Sequence, residues 1–172
     1  MSRMQAFPLL IASLAFTACQ SPVDPTVIPL TAEAQAAVGT YTVTSVNGKP
    51  IPVMIGYFIS ADSGADVIVN GGTLVLDSQI MRFASGKAYP ARLNVRVTYI
   101  ERDPIAGATR IDTRETVPSW SLRGNTLSFL EGNPGFVMTA GTLSGRTATI
   151  TTSGPGFYGA PNPIVVLTLT RN

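Results

Sequence analysis

Histidine is absent from the 172-residue sequence, and cysteine occurs once, at Cys19. Without histidine there can be no Ser–His–Asp or Cys–His catalytic arrangement, and the usual zinc sites lose their ligands. A single cysteine cannot form an intrachain disulfide. Charged residues make up only 13% of the chain and the formal net charge is +2, too little for a nucleic-acid surface. These absences predict a protein that is not an enzyme, needs no cofactor or metal and binds no nucleic acid.

The chain is nevertheless apolar enough to fold. Hydrophobic residues make up 45% of it, an ordinary proportion for a globular protein. The first 18 residues have the pattern of a removable leader, and 172 less 18 leaves 154 residues. That length predicts one domain with its own core and is too short for two.

The beginning of the chain is typical of an exported protein. Arg3 supplies a positive charge, and the apolar run from Ala6 to Phe16 is too short to span a bilayer. This order of features is typical of a secretory signal peptide. We therefore expect residues 1–18 to be removed.

The predicted cleavage site is similar to that of a known class of proteins. The residues Phe16-Thr17-Ala18-Cys19 resemble the lipobox of bacterial lipoproteins, in which the cysteine becomes the lipidated first residue. The resemblance implies that acylated Cys19 attaches the protein to a lipid bilayer of the cell envelope. The residue after the cysteine is Gln20. In the lipoproteins that this run resembles, Asp at that position favours retention at the inner membrane. Gln20 therefore implies the outer membrane, with the domain facing the periplasm or the cell surface. A signal peptide that is cleaved without lipidation is the alternative.

Residues 19–38 are interpreted as the lipidated cysteine and a tether. Gln20–Leu30 contains three prolines and no glycine, which is typical of an extended, semi-rigid spacer. Thr31–Val38 places good helix formers behind a capping threonine. A short helix is therefore expected directly before the domain.

Residues 39–172 have the pattern of an all-β domain. Short runs rich in Val, Ile, Thr and Tyr alternate with turn residues. The predicted strands are Thr40–Val46, Thr73–Asp77, Leu93–Arg102, Thr109–Leu122 with a break at Pro118, Thr126–Leu130, Val137–Leu143, Thr147–Thr152 and Ile164–Arg171, with Val53–Ile59 and Asp66–Val69 as shorter extended pieces. A meander of about eight strands is most simply closed into a single antiparallel up-and-down barrel, because closure removes both exposed edges.

One hairpin predicts a register on the inner face. Gly124-Asn125 is a two-residue turn signal. Closing the turn there pairs Leu122 with Leu127 and Trp120 with Phe129, so these four side chains are expected to face the core.

A second turn is predicted at Ser144-Gly145. It pairs Thr139 with Ile150 and Gly141 with Ala148. This register predicts a strip of small residues where the backbone can approach another layer closely.

Several motifs of the domain carry a further resemblance. They are Gly39-Thr40-Tyr41, the run VNGKPIP at 46–52, Gly71-Gly72-Thr73-Leu74, the run SLRGNTL at 121–127 and the closing run LTLTR at 167–171. Together they look like a lipocalin-like bacterial lipoprotein domain, which implies a calycin-type β-barrel over residues 39–172. Lipocalins pack an indole of the first strand on an arginine of the last strand. Tyr41 and Arg171 stand at these places, so we expect a cation–π contact between them that closes the barrel.

The arginines of two neighbouring strands are interpreted as part of a salt-bridged outer wall, because acidic residues alternate with them in sequence. They are Arg92, Arg96, Arg102, Arg110, Arg114 and Arg123. Glu115 is the exception, since strict alternation puts it on the face of Ile111 and Val117. There it needs a buried partner, Arg96 or Arg114, or a bulge that turns it outward.

The apolar segment Ile51–Ile59 has two interpretations. It can cross the open end of the barrel, with Met54, Tyr57 and Phe58 lining an entrance, or it can plug that end and complete the core.

Two functions are compatible with these patterns. The first is binding of a small apolar or amphipathic ligand inside the barrel, with walls formed by Tyr99, Trp120, Leu127 and Phe129 and a mouth formed by Tyr57 and Phe58. The second is a filled barrel that acts through its loops, as an interaction module for an envelope protein or as an inhibitor of an exported enzyme.

Overall fold

The structure, a computed structural model, describes residues 28–59, 64–101, 109–130, 138–153 and 164–172. The helix α1 spans Ala32–Ala37. The strands are β1 (Gly39–Val46), β2 (Lys49–Pro50), β3 (Val53–Ile59), β4 (Gly64–Leu76), β5 (Met81–Phe83), β6 (Gly86–Ala88), β7 (Ala91–Glu101), β8 (Thr109–Thr116), β9 (Ser119–Arg123), β10 (Thr126–Leu130), β11 (Met138–Ser144), β12 (Thr147–Ser153) and β13 (Ile164–Arg171). The predicted all-β class is confirmed. The expected signal peptide and Cys19 lie outside the described residues.

One curled antiparallel sheet forms the body of the protein. Its strand order is β8-β7-β4-β1-β13-β12-β11-β10-β9, with β2 paired to β1 and β3 paired to β4. Strands β8 and β9 are consecutive in the chain and separated by Val117-Pro118, as the break at Pro118 predicts, because proline has no N–H to give to a ladder. The amide of Ala91 donates to the carbonyl of Pro118 at 2.8 Å, and that of Trp120 donates to Tyr89 at 2.9 Å. The edge strand β9 therefore lies beside the start of β7.

The β9–β10 hairpin has the predicted register. Leu122 pairs with Leu127 and Trp120 pairs with Phe129, and all four side chains are buried. The turn residue Gly124 has a φ of +53°. Glycine at the first central position with positive φ is typical of a type II′ turn, whose twist suits a hairpin.

The predicted register of the next hairpin is wrong by two residues. Ser144 pairs with Thr147, so the turn is Gly145-Arg146 and not Ser144-Gly145. Gly145 has a φ of +57°, which again puts glycine first in the turn, the position that a type II′ turn requires. As a result Gly141 lies opposite Ile150.

Strand β4 is longer than its pattern predicts. The sequence predicts two separate pieces, Asp66–Val69 and Thr73–Asp77, yet one strand continues through Gly71-Gly72 with a register shift between Val69 and Gly71 against β7. A Cβ at Gly72 would lie 2.5 Å from the carbonyl oxygen of Asn94. Glycine is therefore needed there for close approach of two strands and not for a chain reversal.

The segment 51–59 does not cross an end of the sheet. Strand β3 pairs with the first half of β4, so it is part of the wall. Met54 is 60% exposed, whereas Val53 and Ile55 pack against the core. The expected role of Met54 at an entrance is wrong, because strand alternation turns its side chain to the outer face.

Helix α1 covers one end of the curled sheet. The Thr31 hydroxyl accepts a hydrogen bond from the amide of Ala34 at 3.2 Å, which caps the helix. Ala34 and Ala37 are buried in the core. We call this end, with the turns Gly124-Asn125 and Gly145-Arg146, the helix end. The opposite end, which carries the Asn47-Gly48 turn, is the far end.

Candidate functional site

The hairpin of β7 and β8 has a mixed inner face. Strand β7 turns a buried apolar row inward, and the cross-strand partners of that row on β8 are polar. The pairs are Leu93 with Thr116, Val95 with Arg114, Val97 with Asp112 and Tyr99 with Arg110. Since directly paired residues share a face, three charged side chains lie on the inner side, next to the core.

These charges form a contiguous cluster. The Asp112 carboxylate lies 3.1 Å from a guanidinium nitrogen of Arg114 and 3.4 Å from one of Arg110. Arg114 also donates to the hydroxyl of Tyr99 at 3.5 Å, a long hydrogen bond. The side chain of Asp112 is 24% exposed, that of Arg114 is 40% exposed and that of Arg110 is 72% exposed. The cluster therefore runs from the core toward the rim of the far end.

Arginine is the main component of the cluster. Among the described residues, two guanidinium groups, those of Arg110 and Arg114, contact the carboxylate of Asp112. An ion pair at this exposure contributes little to folding stability, about 0–1 kcal/mol. Guanidinium groups bind carboxylates and phosphates with paired hydrogen bonds. Arginine side chains at the edge of an apolar interior are therefore a candidate site for an anionic group.

The expectation of an outer arginine wall is partly wrong. Arg92 and Arg96 are exposed on the outer face of β7, as expected, but Arg110 and Arg114 lie on the other face of the sheet. Glu115 is exposed without any bulge in the β7–β8 register, and Ile111 is exposed with it at 67%. The alternation of apolar residues predicts that the face with Ile111 and Glu115 is turned to the core, but in the structure that face is the outer one. Arg102 lies outside the described residues.

The alternation of β9 could have revealed this cluster. Trp120 and Leu122 face inward through the predicted hairpin, and counting back in twos reaches Thr116, Arg114 and Asp112. The apolar side chain of Ile111 favoured the opposite assignment.

The predicted wall residues divide between two places. Trp120, Leu127 and Phe129 are buried together in the β9–β10 hairpin near the helix end. The indole N–H of Trp120 donates to the carbonyl of Asp77 at 3.0 Å. Tyr99 lies ten residues further along the chain than Tyr89, whose carbonyl accepts the hydrogen bond from the Trp120 amide. Tyr99 therefore belongs with the charged cluster and not with the other three.

The predicted mouth residues have described backbone positions. Tyr57 pairs with Asp66 and Phe58 pairs with Ala65 in the β3–β4 ladder. Their side chains lie outside the described residues.

Tyr41 and Arg171 are cross-strand partners in β1 and β13. The Tyr41 hydroxyl donates to the carbonyl of Ala37 at 2.7 Å. The Arg171 guanidinium donates to the carbonyls of Ala36 at 2.7 Å and Val38 at 2.6 Å. Burial raises the pKa of Tyr41, and the nearby Arg171 charge lowers it by less. Both side chains thus hold α1 against the sheet, while the ring–guanidinium contact itself stays a prediction.

Three surface crevices are formed by described residues. One of about 470 Å³ lies beside α1 and includes Trp120, Leu122 and Tyr89 in its lining. One of about 430 Å³ lies at the Gly71 bulge of β4. One of about 250 Å³ lies between α1 and the two tight turns. The first has the volume of a small-ligand site.

Among the described residues there is no group of three or more His, Cys, Asp or Glu side chains placed to hold a metal ion. No helix in the same residues is long and apolar enough to cross a membrane.

Comparisons with known proteins return no relative. No family model, no curated protein and no solved structure matches the chain.

Proposed function

We propose that this protein is a lipid-anchored envelope lipoprotein with a closed, lipocalin-like barrel that binds an amphipathic acid without catalysing a reaction. The acidic head of the ligand binds Arg114, and its apolar tail enters the interior beside Tyr99, where it displaces side chains that cover the buried inner row of β7. The single observation that carries this proposal is the inward-facing cluster of Asp112, Arg114 and Tyr99 beside that row.

Closure of the barrel is supported by the contacts at the sheet edge. Residues 117–118 join β8 to β9, and the pair counts as one strand broken at Pro118. On that count the proposed ring has eight strands, namely β1, β4, β7, β8 with β9, β10, β11, β12 and β13. The bridge between Pro90 and Ser119 joins the first residue of β9 to the residue before β7, so the pairing of β7 with β8 continues into β9.

The ligand class follows from charge and apolar surface. The cluster contains two guanidinium groups, and its neighbours Val95 and Val97 are buried apolar side chains. A long-chain carboxylate or phosphate satisfies both parts of such a site. A neutral apolar molecule would make no ionic contact with Arg114.

The anchor, the outer-membrane location and the absence of catalysis are supported by the sequence. Cys19 ends a lipobox-like run and Gln20 follows it. Histidine is lacking, and the one thiol is the proposed site of acylation. The proposed partners are therefore a bilayer and a small molecule.

Binding of a fatty acid and of the fatty alcohol of equal chain length tests the proposal. The full chain is purified with its covalent anchor and freed of non-covalently bound lipid. It is then titrated with both ligands. We expect the acid to bind about 10–100-fold more tightly, because a charge-assisted hydrogen bond contributes about 1.5–3 kcal/mol. Arg114→Gln should remove that preference.

Arg96→Gln is the matched control. Arg96 lies on the same hairpin but on the outer face, so the preference for the acid should be unchanged. Equal binding of acid and alcohol by the wild-type chain contradicts the acidic ligand class. If neither ligand binds, the proposed binding of an amphipathic ligand is itself contradicted.

The second candidate function, binding of an envelope protein, is favoured by an outer-face row that ends in the exposed apolar side chains of Met54 and Ile111. Met54 pairs with Ile68, Ile68 with Thr98, and Thr98 with Ile111, so the row crosses four strands on the outer face. A photo-reactive residue at position 111 should cross-link one specific envelope protein in cells if this candidate holds. The same probe at Arg92 is the control.

A further inference from the structure

A small hairpin projects from the helix end of the protein. Strands β5 and β6 form a two-stranded sheet of their own, in which Met81 pairs with Ala88 and Arg82 pairs with Lys87. Ile80 is 51% exposed and Met81 is 41% exposed. Arg82 and Lys87 are exposed as well. The hairpin thus presents apolar and cationic side chains together.

The same combination continues across the neighbouring crevice. The cavity of about 470 Å³ brings Ile28 and Leu30 next to Lys87 and Arg123. Ile28 is 86% exposed. We call the surface formed by Ile28, the β5–β6 hairpin, Arg123 and Arg146 the basal surface.

The charge of the helix end is positive. Among the described residues, the exposed cations Arg82, Lys87, Arg123 and Arg146 and the half-buried Arg171 stand against two carboxylates, Glu33 and Asp77, which gives this end a side-chain net charge of +3. Without Arg3, which leaves with the expected signal peptide, the net charge of the sequence falls from +2 to +1, so the rest of the mature chain is net negative. An anionic partner is therefore attracted to this end in particular.

The chain reaches the same end from the proposed anchor. Cys19 precedes Ile28 by nine residues, a span of at most about 30 Å when fully extended. Ile28 and Leu30 then lead into α1 at the helix end. A bilayer that holds Cys19 is consequently within reach of the basal surface.

We propose that the basal surface docks onto an anionic phospholipid bilayer. Ile28, Ile80 and Met81 enter the interfacial layer, and the cations meet the lipid phosphates. Docking holds the barrel upright, with the far end and its Arg114 site pointing away from the membrane. The direction of docking rests on the proposed anchor at Cys19, but the affinity for anionic lipid does not.

Hydrogen exchange of the membrane-bound protein tests the docking. The full chain is purified with its anchor and reconstituted into vesicles of phosphatidylcholine, or of phosphatidylcholine with phosphatidylglycerol. We expect the amides of residues 80–88 to exchange at least about fivefold more slowly in the anionic vesicles, since each cation near an anionic surface contributes about that factor. High salt should remove the difference.

Two pairs of variants separate docking from general charge and stability effects. R82E combined with K87E should abolish the slowing, whereas Lys49→Glu, at the exposed far-end β2 strand, should leave it unchanged. Ile80→Asp should weaken it, whereas Ile111→Asp, equally apolar and exposed on the outer wall, should not.

The contrary results are distinct. Equal exchange of residues 80–88 in both vesicle types overturns the docking, as does slowing that Lys49→Glu also abolishes. Slowing that appears only with a co-purified protein overturns the bilayer as the partner. A mass without lipid on Cys19 overturns the anchor alone, and docking is then measured by adding the same chain to the vesicles from solution.

Discussion

The two ends of the curled sheet are built differently. At the helix end, α1 covers the interior. The side chains of Tyr41, Trp120 and Arg171 donate hydrogen bonds to backbone carbonyls there. Toward the far end, the inner face of β8 carries Asp112 and Arg114.

The difference separates stability from binding. Apolar burial contributes about 25 cal/mol per Å², whereas partly exposed ion pairs contribute little. Charged side chains placed inside one half of the sheet are therefore poorly explained by folding. The helix end is where substitutions should cost stability, and the far end is where they should change binding.

The largest effect is expected from Leu127→Ala. Leu127 is fully buried in β10 near the helix end, so truncation removes apolar contacts and leaves a cavity, which costs about 2–5 kcal/mol. Urea unfolding followed by circular dichroism measures it. Leu130→Ala is the control on the same strand, because Leu130 is 70% exposed, and its effect should stay within about 0.5 kcal/mol. Equal effects would show that Leu127 is not part of the core.

A smaller loss is expected from Arg171→Met. Its guanidinium satisfies the carbonyls of Ala36 and Val38, which the end of a helix otherwise leaves without donors. Losing two charge-assisted hydrogen bonds beside the core should cost about 2 kcal/mol. The same unfolding assay with Arg123→Met, an exposed arginine of β9, should give almost no change. A wild-type stability for Arg171→Met would mean that α1 is held without it.

Tyr41→Phe should cost about 1 kcal/mol at neutral pH, because it removes the hydrogen bond to the Ala37 carbonyl. Burial raises the pKa of Tyr41 above its ordinary 10.0. The unfolded chain then releases this proton first, so the contribution is fully present below pH 10 and is lost as the pH rises through the folded value. Unfolding of both proteins from pH 7 to 11 should show the wild type losing its advantage at the alkaline end. A constant difference would contradict the raised pKa.

Much of the fold could be predicted from local signals. Gly124-Asn125 specifies its hairpin because a two-residue turn and the apolar partners Trp120 and Phe129 require the same register. The Gly145-Arg146 turn was missed because glycine can stand first or second in such a turn. The continuation of β4 through Gly72 depends on the approach of a strand that is distant in sequence, which no local pattern records.

The candidate site was less predictable than the fold. The apolar row of β7 identifies Tyr99, but the acidic residues that alternate with the arginines favour an outer wall for Arg114, and the apolar Ile111 favours the opposite face for the core. A single exposed isoleucine is common on protein surfaces, so apolar character alone assigns a face poorly. The alternation that runs back from Trp120 in β9 to Arg114 is the stronger signal for the face on which Arg114 lies.

The smallest stability effect is expected at the far end, from Arg114→Gln. The Arg114 side chain is 40% exposed and shares Asp112 with Arg110, so one ion pair remains and the change should be below about 1 kcal/mol. The same substitution should abolish discrimination between a fatty acid and its alcohol. Unfolding and ligand titration of one purified sample measure both quantities. A loss of several kcal/mol with unchanged ligand preference would make Arg114 a structural residue, and the contrast between the two ends would then fail.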